Sequence, residues 1–251
     1  MRHLSYKTLM ASLLMVVIQG CYQGNDTPAN SGTGIGGSTA RFTIQKNHLI
    51  TIENHQVKVF SLSQPMTPVH IAAFDTRITM ETIFPQGEER IFIGTNDGTI
   101  IMDHSETGIL QEVAFVSHFR SCDPVVAQGN YMYVTLRDGN GCGVFTNNVN
   151  QLMVFDITDV QHPELVTQIN INRPYGLGIQ DSNLFVCYAN GVQQYDISDP
   201  QSIEKVADYS TECDDLIAAT SPMIFTSKEG IHLVSLSDNG LTEQAIIRAG
   251  D

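Results

Sequence analysis

The sequence predicts an all-β protein, a β-propeller of about five four-stranded blades, and three observations carry that prediction. First, from Arg41 onward no helical periodicity of useful length appears. Short runs rich in Val, Ile, Phe, Tyr and Thr are instead broken by Gly, Asn, Asp and Pro, the residue chemistry of strands and turns. Second, five segments align as strand, polar turn, strand: QVKVFSLSQPMTPVHIAAF, GTIIMDHSETGILQEVAF, QLMVFDITDVQHPELVTQI, GVQQYDISDPQSIEKVADY and GIHLVSLSDNGLTEQAII. Third, their equivalent positions Ser61, Asp103, Asp156, Asp196 and Ser235 are spaced by 42, 53, 40 and 39 residues. The long interval holds one insertion, Arg137 to Asn148, so the underlying period is that of a propeller blade.

Each blade is completed upstream. A second apolar strand precedes each aligned segment (HLITI, RIFIG, YMYVT, NLFVC, MIFTS), and a further one precedes that (RFTIQ, DPVVAQ, PYGLGI, DDLIAA). A four-stranded meander cannot bury both of its faces alone, so consecutive blades must stack around an axis. Asn96-Asp97-Gly98, Asn190-Gly191 and Glu229-Gly230 suit the positive φ of tight hairpins between second and third strands. In Asp196-Ile-Ser-Asp-Pro200 the aspartates cap the turn and the proline stops the strand.

The stretches LFVCYANGVQQYDISDP and YMYVTLRDGNGCG, followed by NQLMVFDITDVQHPEL, resemble the LVIVD-repeat family of bacterial β-propellers over about residues 48–249. Blades one and five depart from that repeat, with Ser61 and Ser235 where aspartate is usual. The resemblance implies architecture and no general activity. The absence of tryptophan argues against a WD-type propeller.

Residues 1–20 read as an export signal. Arg2 and Lys7 form a basic start, and the apolar run Leu9 to Ile18 is too short to span a bilayer. Ile18-Gln19-Gly20-Cys21 resembles the lipobox of bacterial lipoproteins, with Cys21 the residue to be lipidated and Gln19 an unusual occupant of its position. Tyr22, in place of an aspartate, points to the outer membrane. Residues 21–40 are dominated by Gly, Ser, Thr, Asn and Pro and read as a flexible tether, leaving 41–251 as the propeller. The expected address is therefore the bacterial cell envelope, with the membrane as a partner through a lipid anchor.

The net charge of −14 repels phosphate backbones, which excludes nucleic acid as a partner. In an oxidising compartment the cysteines are expected to pair. Cys122, at the start of blade three, and Cys142, in the loop leaving its second strand, share one face and are expected to form a disulfide across the insertion. Cys187 and Cys213, in neighbouring blades, form a possible second one, with two small buried thiols as the alternative. No C-x-x-C pair or histidine spacing supports zinc.

No catalytic constellation is legible. There is no G-x-S-x-G and no H-E-x-x-H, His70 and His232 read as packed or edge residues, and Glu88-Glu89 and Asp214-Asp215 as solvated pairs. No cofactor is expected, and the sequence leaves metal binding open. The face carrying the blade starts and the insertion is the candidate binding face, and it gathers Arg120, Asp123, Arg137, Asp138, Arg173, Tyr175, Asp214 and Asp215. The expected function is a non-enzymatic scaffold that presents this face to a protein, peptide or glycan. The alternative is an envelope enzyme, a hydrolase or lyase, working at the channel mouth.

Overall fold

The β-branched and aromatic runs form twenty strands, which hydrogen-bond into five antiparallel sheets of four. The computed structural model describes residues 36–118, 124–138, 149–218 and 221–248. Blade one comprises β1 (Phe42–Gln45), β2 (His48–Glu53), β3 (Gln56–Ser61) and β4 (Val69–Asp75). Blade two comprises β5 (Met80–Gln86), β6 (Arg90–Thr95), β7 (Gly98–His104) and β8 (Leu110–Ser117). Blade three comprises β9 (Val125–Gln128), β10 (Tyr131–Leu136), β11 (Gln151–Asp156) and β12 (Glu164–Asn170). Blade four comprises β13 (Pro174–Gln180), β14 (Asn183–Tyr188), β15 (Gly191–Asp196) and β16 (Glu204–Tyr209). Blade five comprises β17 (Asp215–Ile217), β18 (Met223–Thr226), β19 (Gly230–Ser237) and β20 (Gly240–Arg248). The described residues contain no helix.

The repeat extends to details of register. A bulge falls between the third and fourth strands of every blade, at Val59/Phe60, Ile101/Met102, Val154/Phe155, Gln194/Tyr195 and Leu233/Val234. Such a bulge deepens the local twist that lets a sheet stand as a blade. In the ISDP turn Asp196 accepts from the Ser198 amide at 2.8 Å and Asp199 from the Gln201 amide at 3.1 Å. Blade three repeats this with Asp156 and Asp159.

Gly191 and Gly230 have the positive φ expected of them, at 135° and 147°, and Gly98 does not, but all three share another reason to be glycine. A Cβ on Gly98, Gly191 or Gly230 would stand 2.3, 1.9 or 2.0 Å from the carbonyl oxygen of Val116, Tyr209 or Ile247. At each of these turns the outermost strand passes too close for any side chain.

Apolar clusters bind the blades in series. Ile50, Val59, Ile93 and Ile100 join blades one and two. Phe92, Ile101, Met132 and Met153 join blades two and three. Tyr133, Val154, Leu184 and Tyr195 join blades three and four, and Phe185, Val192, Met223 and Phe225 join blades four and five. No such cluster among the described residues joins blade five to blade one.

That last junction is polar and falls on residues read as the end of the tether. Ser38 is fully buried. Its hydroxyl donates to Asp215 Oδ1 at 2.8 Å and accepts from the Leu177 amide at 2.8 Å. Thr39 donates to Asp215 Oδ2 through its hydroxyl at 2.6 Å and its amide at 3.2 Å. The Ala40 carbonyl accepts from the Ile83 amide. Residues 38–40, read from the sequence as the end of the tether, are thus hydrogen-bonded to blades two, four and five.

Candidate functional site

The loops from second to third strands, and from each blade to the next, share one end of the strands, here called the upper face. The first-to-second and third-to-fourth turns share the lower face. On the lower face a glutamine ends each of the first four innermost strands: Gln45, Gln86, Gln128 and Gln180. Gln45 donates to the carbonyls of Gly87 and Arg90, Gln86 to Gly129, and Gln128 to Asp181, so each reaches the following blade. A cavity of about 290 Å³ lies at this end of the channel, lined by Phe84, Val126, Leu177 and Leu216 and by Gly36 and Ser38.

Between blades one and two the lower face holds a buried histidine pair. His48 Nδ1 lies 3.1 Å from His104 Nε2, and His104 Nδ1 lies 2.7 Å from Gln45 Oε1. The Gln45 amide nitrogen already donates to two carbonyls, so its oxygen accepts, and His104 carries its proton on Nδ1. His104 Nε2 then accepts from His48. Burial pushes His104 down to about 4, with the neighbouring His48 and Lys46 adding to the effect. His48 is lowered by the same burial.

The upper face holds a groove of about 340 Å³ between blades four and five. Tyr175, Tyr188 and Asn190 line it from blade four; Glu212, Asp214, Ser227 and Lys228 line it from blade five and the connection into it. Beneath it a disulfide joins Cys187 of β14 to Cys213, with Cα atoms 5.2 Å apart.

Of the residues expected on the binding face, Tyr175 and Asp214 line this groove. Arg137 stacks over the Tyr175 ring at 4.3 Å from its centroid, a cation–π contact at the groove's edge. The Asp138 amide donates to Asn150 Oδ1 at 3.3 Å. Arg173 is exposed on the same face, with φ of 51°. Asp215 is placed differently. It turns away from the groove into the blade-five to blade-one junction, where burial raises its carboxyl pKa while the hydrogen bonds from Thr39 and Ser38 oppose the rise. Its carboxylate fills the space that a Cβ on Gly37 or Gly176 would take, at 2.2 and 2.1 Å. Asp215 is therefore a structural residue of the ring. Arg120, Asp123, Cys21, Cys122 and Cys142 lie outside the described residues.

One further arrangement escapes motif reading. His232, buried in β19, has Nε2 2.8 Å from Ser227 Oγ and Nδ1 2.6 Å from Glu243 Oε2. A carboxylate only accepts, so Nδ1 carries the proton, and in the neutral form of the ring Nε2 accepts from the serine hydroxyl. Ser227 Oγ is also held by the Glu229 amide at 3.1 Å. His232, read from the sequence as a packed or edge residue, is packed and is the middle of a Ser–His–Glu chain, with Ser227 in the groove wall.

The chain is a β-propeller with a lateral groove, and solved structures agree on the fold. It superposes on a protein from Lactobacillus plantarum with a TM-score of 0.62 and 10% identity, covering 81% of this chain and 69% of that one. A functionally unknown protein from Desulfotomaculum acetoxidans gives 0.61 and 9%, covering 86% and 68%. The Pseudomonas aeruginosa periplasmic gluconolactonase PpgL gives 0.58 and 13%, covering 80% and 66%. The chain thus spans about two thirds of the length of each. No protein-family profile matches it, and no curated protein does.

Proposed function

We propose that this chain is a lipid-anchored envelope propeller of the LVIVD-repeat kind that binds a protein, peptide or glycan partner in the upper groove. The groove carries the reading. It lies on the loop-bearing face, and it combines two tyrosines with carboxylates, an amide, hydroxyls and a lysine. A firm frame of apolar core and the Cys187–Cys213 disulfide holds it. That disulfide also supports export, because such bonds persist in oxidising compartments. The anchor rests on residues 1–21, with Cys21 as acceptor and the Gly- and Ser-rich stretch after it, within 21–40, as the tether.

Photocrosslinking in intact envelopes tests the reading. A benzoylphenylalanine replacing Tyr188 is expected to capture a partner that the same group replacing Asp159, in a lower-face turn, does not. Equal capture from both positions, or none from either, overturns the groove. Radiolabelled palmitate is expected to label the wild type and not Cys21→Ala; failure to label the wild type overturns the anchor alone.

A further inference from the structure

We infer that the groove is also a hydrolytic site, in which Ser227 is an acyl-accepting nucleophile, His232 its general base and Glu243 the positioning residue for the imidazole. The inference rests on the groove being a ligand site and adds a chemistry to it. The arrangement is the one nucleophilic acyl transfer needs: a hydroxyl 2.8 Å from one imidazole nitrogen, whose other nitrogen donates to a carboxylate at 2.6 Å. Both contacts fall within the hydrogen-bond reach required of such a relay.

The repeat supplies an internal comparison. At the position of His232, two residues beyond the start of the third strand, blades one, two and four carry Lys58, Ile100 and Gln193. The corresponding hairpins, at Asn54-His55, Asn96-Asp97 and Ala189-Asn190, hold their turns without a serine–histidine pair. In blade one the same two positions hold another polar pair, Glu53 and Lys58 at 2.6 Å, so a bond across this hairpin belongs to the repeat and only its serine–histidine chemistry is particular to blade five. Of the two hairpins that line the groove, Tyr188 to Gly191 of blade four and Ser227-Lys228 of blade five, the second carries it.

The step balances with water as co-reactant. Ser227 Oγ attacks an ester carbonyl as its proton passes to His232 Nε2. The tetrahedral intermediate collapses, and the alcohol leaves with that proton. Water then attacks the acyl-serine, gives its proton to His232, and releases the acid, regenerating the hydroxyl. Asn190 and Lys228, which line the same groove, are the side-chain donors it offers to a developing oxyanion.

The lining also selects a substrate class. It holds no Leu, Ile, Val, Met or Phe, so a long acyl chain finds no apolar slot. Glu212 and Asp214 disfavour anions, while Tyr175 and Tyr188 offer ring faces. A short-chain acyl ester of an uncharged polyhydroxy alcohol, such as an acetylated sugar, fits these constraints.

A fluorophosphonate probe and p-nitrophenyl acetate test this on the full chain. The probe's phosphorus is attacked by Ser227 Oγ with loss of fluoride, and peptide mapping is expected to place the adduct on Ser227. Ser227→Ala is expected to abolish labelling and to lower ester hydrolysis at least about a hundredfold, with circular dichroism showing that it is folded. His232→Gln is expected to slow labelling by a similar factor. Glu243→Gln is expected to lower kcat with little change in KM, and Glu243→Asp to restore part of it. Folded wild type that neither labels at Ser227 nor hydrolyses the ester above the Ser227→Ala level overturns the inference. A chain with Ser227 intact that fails to label yet still crosslinks through benzoylphenylalanine at position 188 separates this failure from failure of the groove itself.

Discussion

Blades two to four and blades one and five are built from the same repeat and buried differently. In the middle blades the second and third strands are buried on both faces: Ile91 to Thr95 of β6, Met132 to Leu136 of β10 and Leu184 to Cys187 of β14 are continuous buried runs. In the terminal blades burial alternates. In β2, Ile50 and Ile52 are buried while Leu49 and Thr51 are only half so, and β18 alternates in the same way. Each middle blade is pressed between two neighbours by apolar clusters, whereas blades one and five each have one such neighbour. The remaining junction relies on Ser38, Thr39 and Asp215. A repeat unit's stability therefore depends on how many faces its neighbours cover as much as on its own sequence.

The sharpest way to break this comparison is to truncate one aromatic ring in each class. Phe92 of β6 is fully buried, and Phe42 of β1 is 60% exposed. Phe92→Ala is expected to cost about 3–5 kcal/mol in urea unfolding. Phe42→Ala is expected to stay within about 0.5 kcal/mol. Similar costs at both positions would mean that the outward face of blade one is packed in solution.

The disulfide sharpens the blade-four to blade-five junction, where a covalent link supplements the apolar cluster. It closes a segment with a sequence separation of 26. Its removal by Cys187→Ala with Cys213→Ala is expected to cost about 3.5 kcal/mol on the loop-entropy account. Hydrogen exchange in β17 and β18 is expected to rise more than in β10 and β11. A uniform rise across all blades would deny that blade five is held separately.

The blade-one to blade-two junction responds to pH instead. Because the folded His104 sits at about 4, below the ordinary 6.5, the unfolded chain takes up the proton first as pH falls. This contribution to stability is complete above pH 6.5 and is lost as pH drops toward 4, by roughly 3 kcal/mol. Lys46 beside the pair reinforces the effect and Glu106 opposes it. His104→Gln is expected to flatten the stability profile over this window while Phe92→Ala leaves its slope unchanged. A wild-type profile already flat from pH 6.5 to 4 would place the pair in contact with solvent.

Much of this organisation is legible in the sequence, and what is not has a physical cause. The continuous runs RIFIGT and YMYVTL against the alternating HLITIE and QVKVFS already separate doubly covered strands from singly covered ones. The hairpin glycines mark the turns, although the close pass of the fourth strand, which demands them, depends on the fold. Asp214 and Asp215 are adjacent letters that strand geometry sends in different directions, one to the groove and one into the ring. Ser227, His232 and Glu243 are 5 and 11 residues apart, spacings that match no helix face or linear motif. Their meeting depends on the Thr226–Ile231 hairpin register and on the bulge that sets Glu243 opposite Val234. Cross-strand register of that kind arises from tertiary pairing.

The glutamines were equally visible and equally mute, and they give the finest test of the comparison. RFTIQ, IFPQ, VVAQ and LGIQ all end an innermost strand on glutamine, while blade five runs Leu216-Ile-Ala-Ala-Thr220. Gln86 and Gln128 each make one exposed bond to the next blade, at 2.7 and 3.1 Å. Replacing either with alanine is expected to cost only about 0.5–1.5 kcal/mol, because water can take up the freed carbonyl. Gln45 is fully buried and also accepts from His104. Gln45→Ala leaves two carbonyls and an imidazole N–H without their partner, and a cost of roughly 1–3 kcal/mol follows. The Gln45 variant should also alter the acid slope attributed to His104, whereas Gln86→Ala should not. If all three substitutions cost the same and none moves that slope, the glutamines are interchangeable surface links, and the first junction owes its strength to the apolar cluster of Ile50, Val59, Ile93 and Ile100 alone.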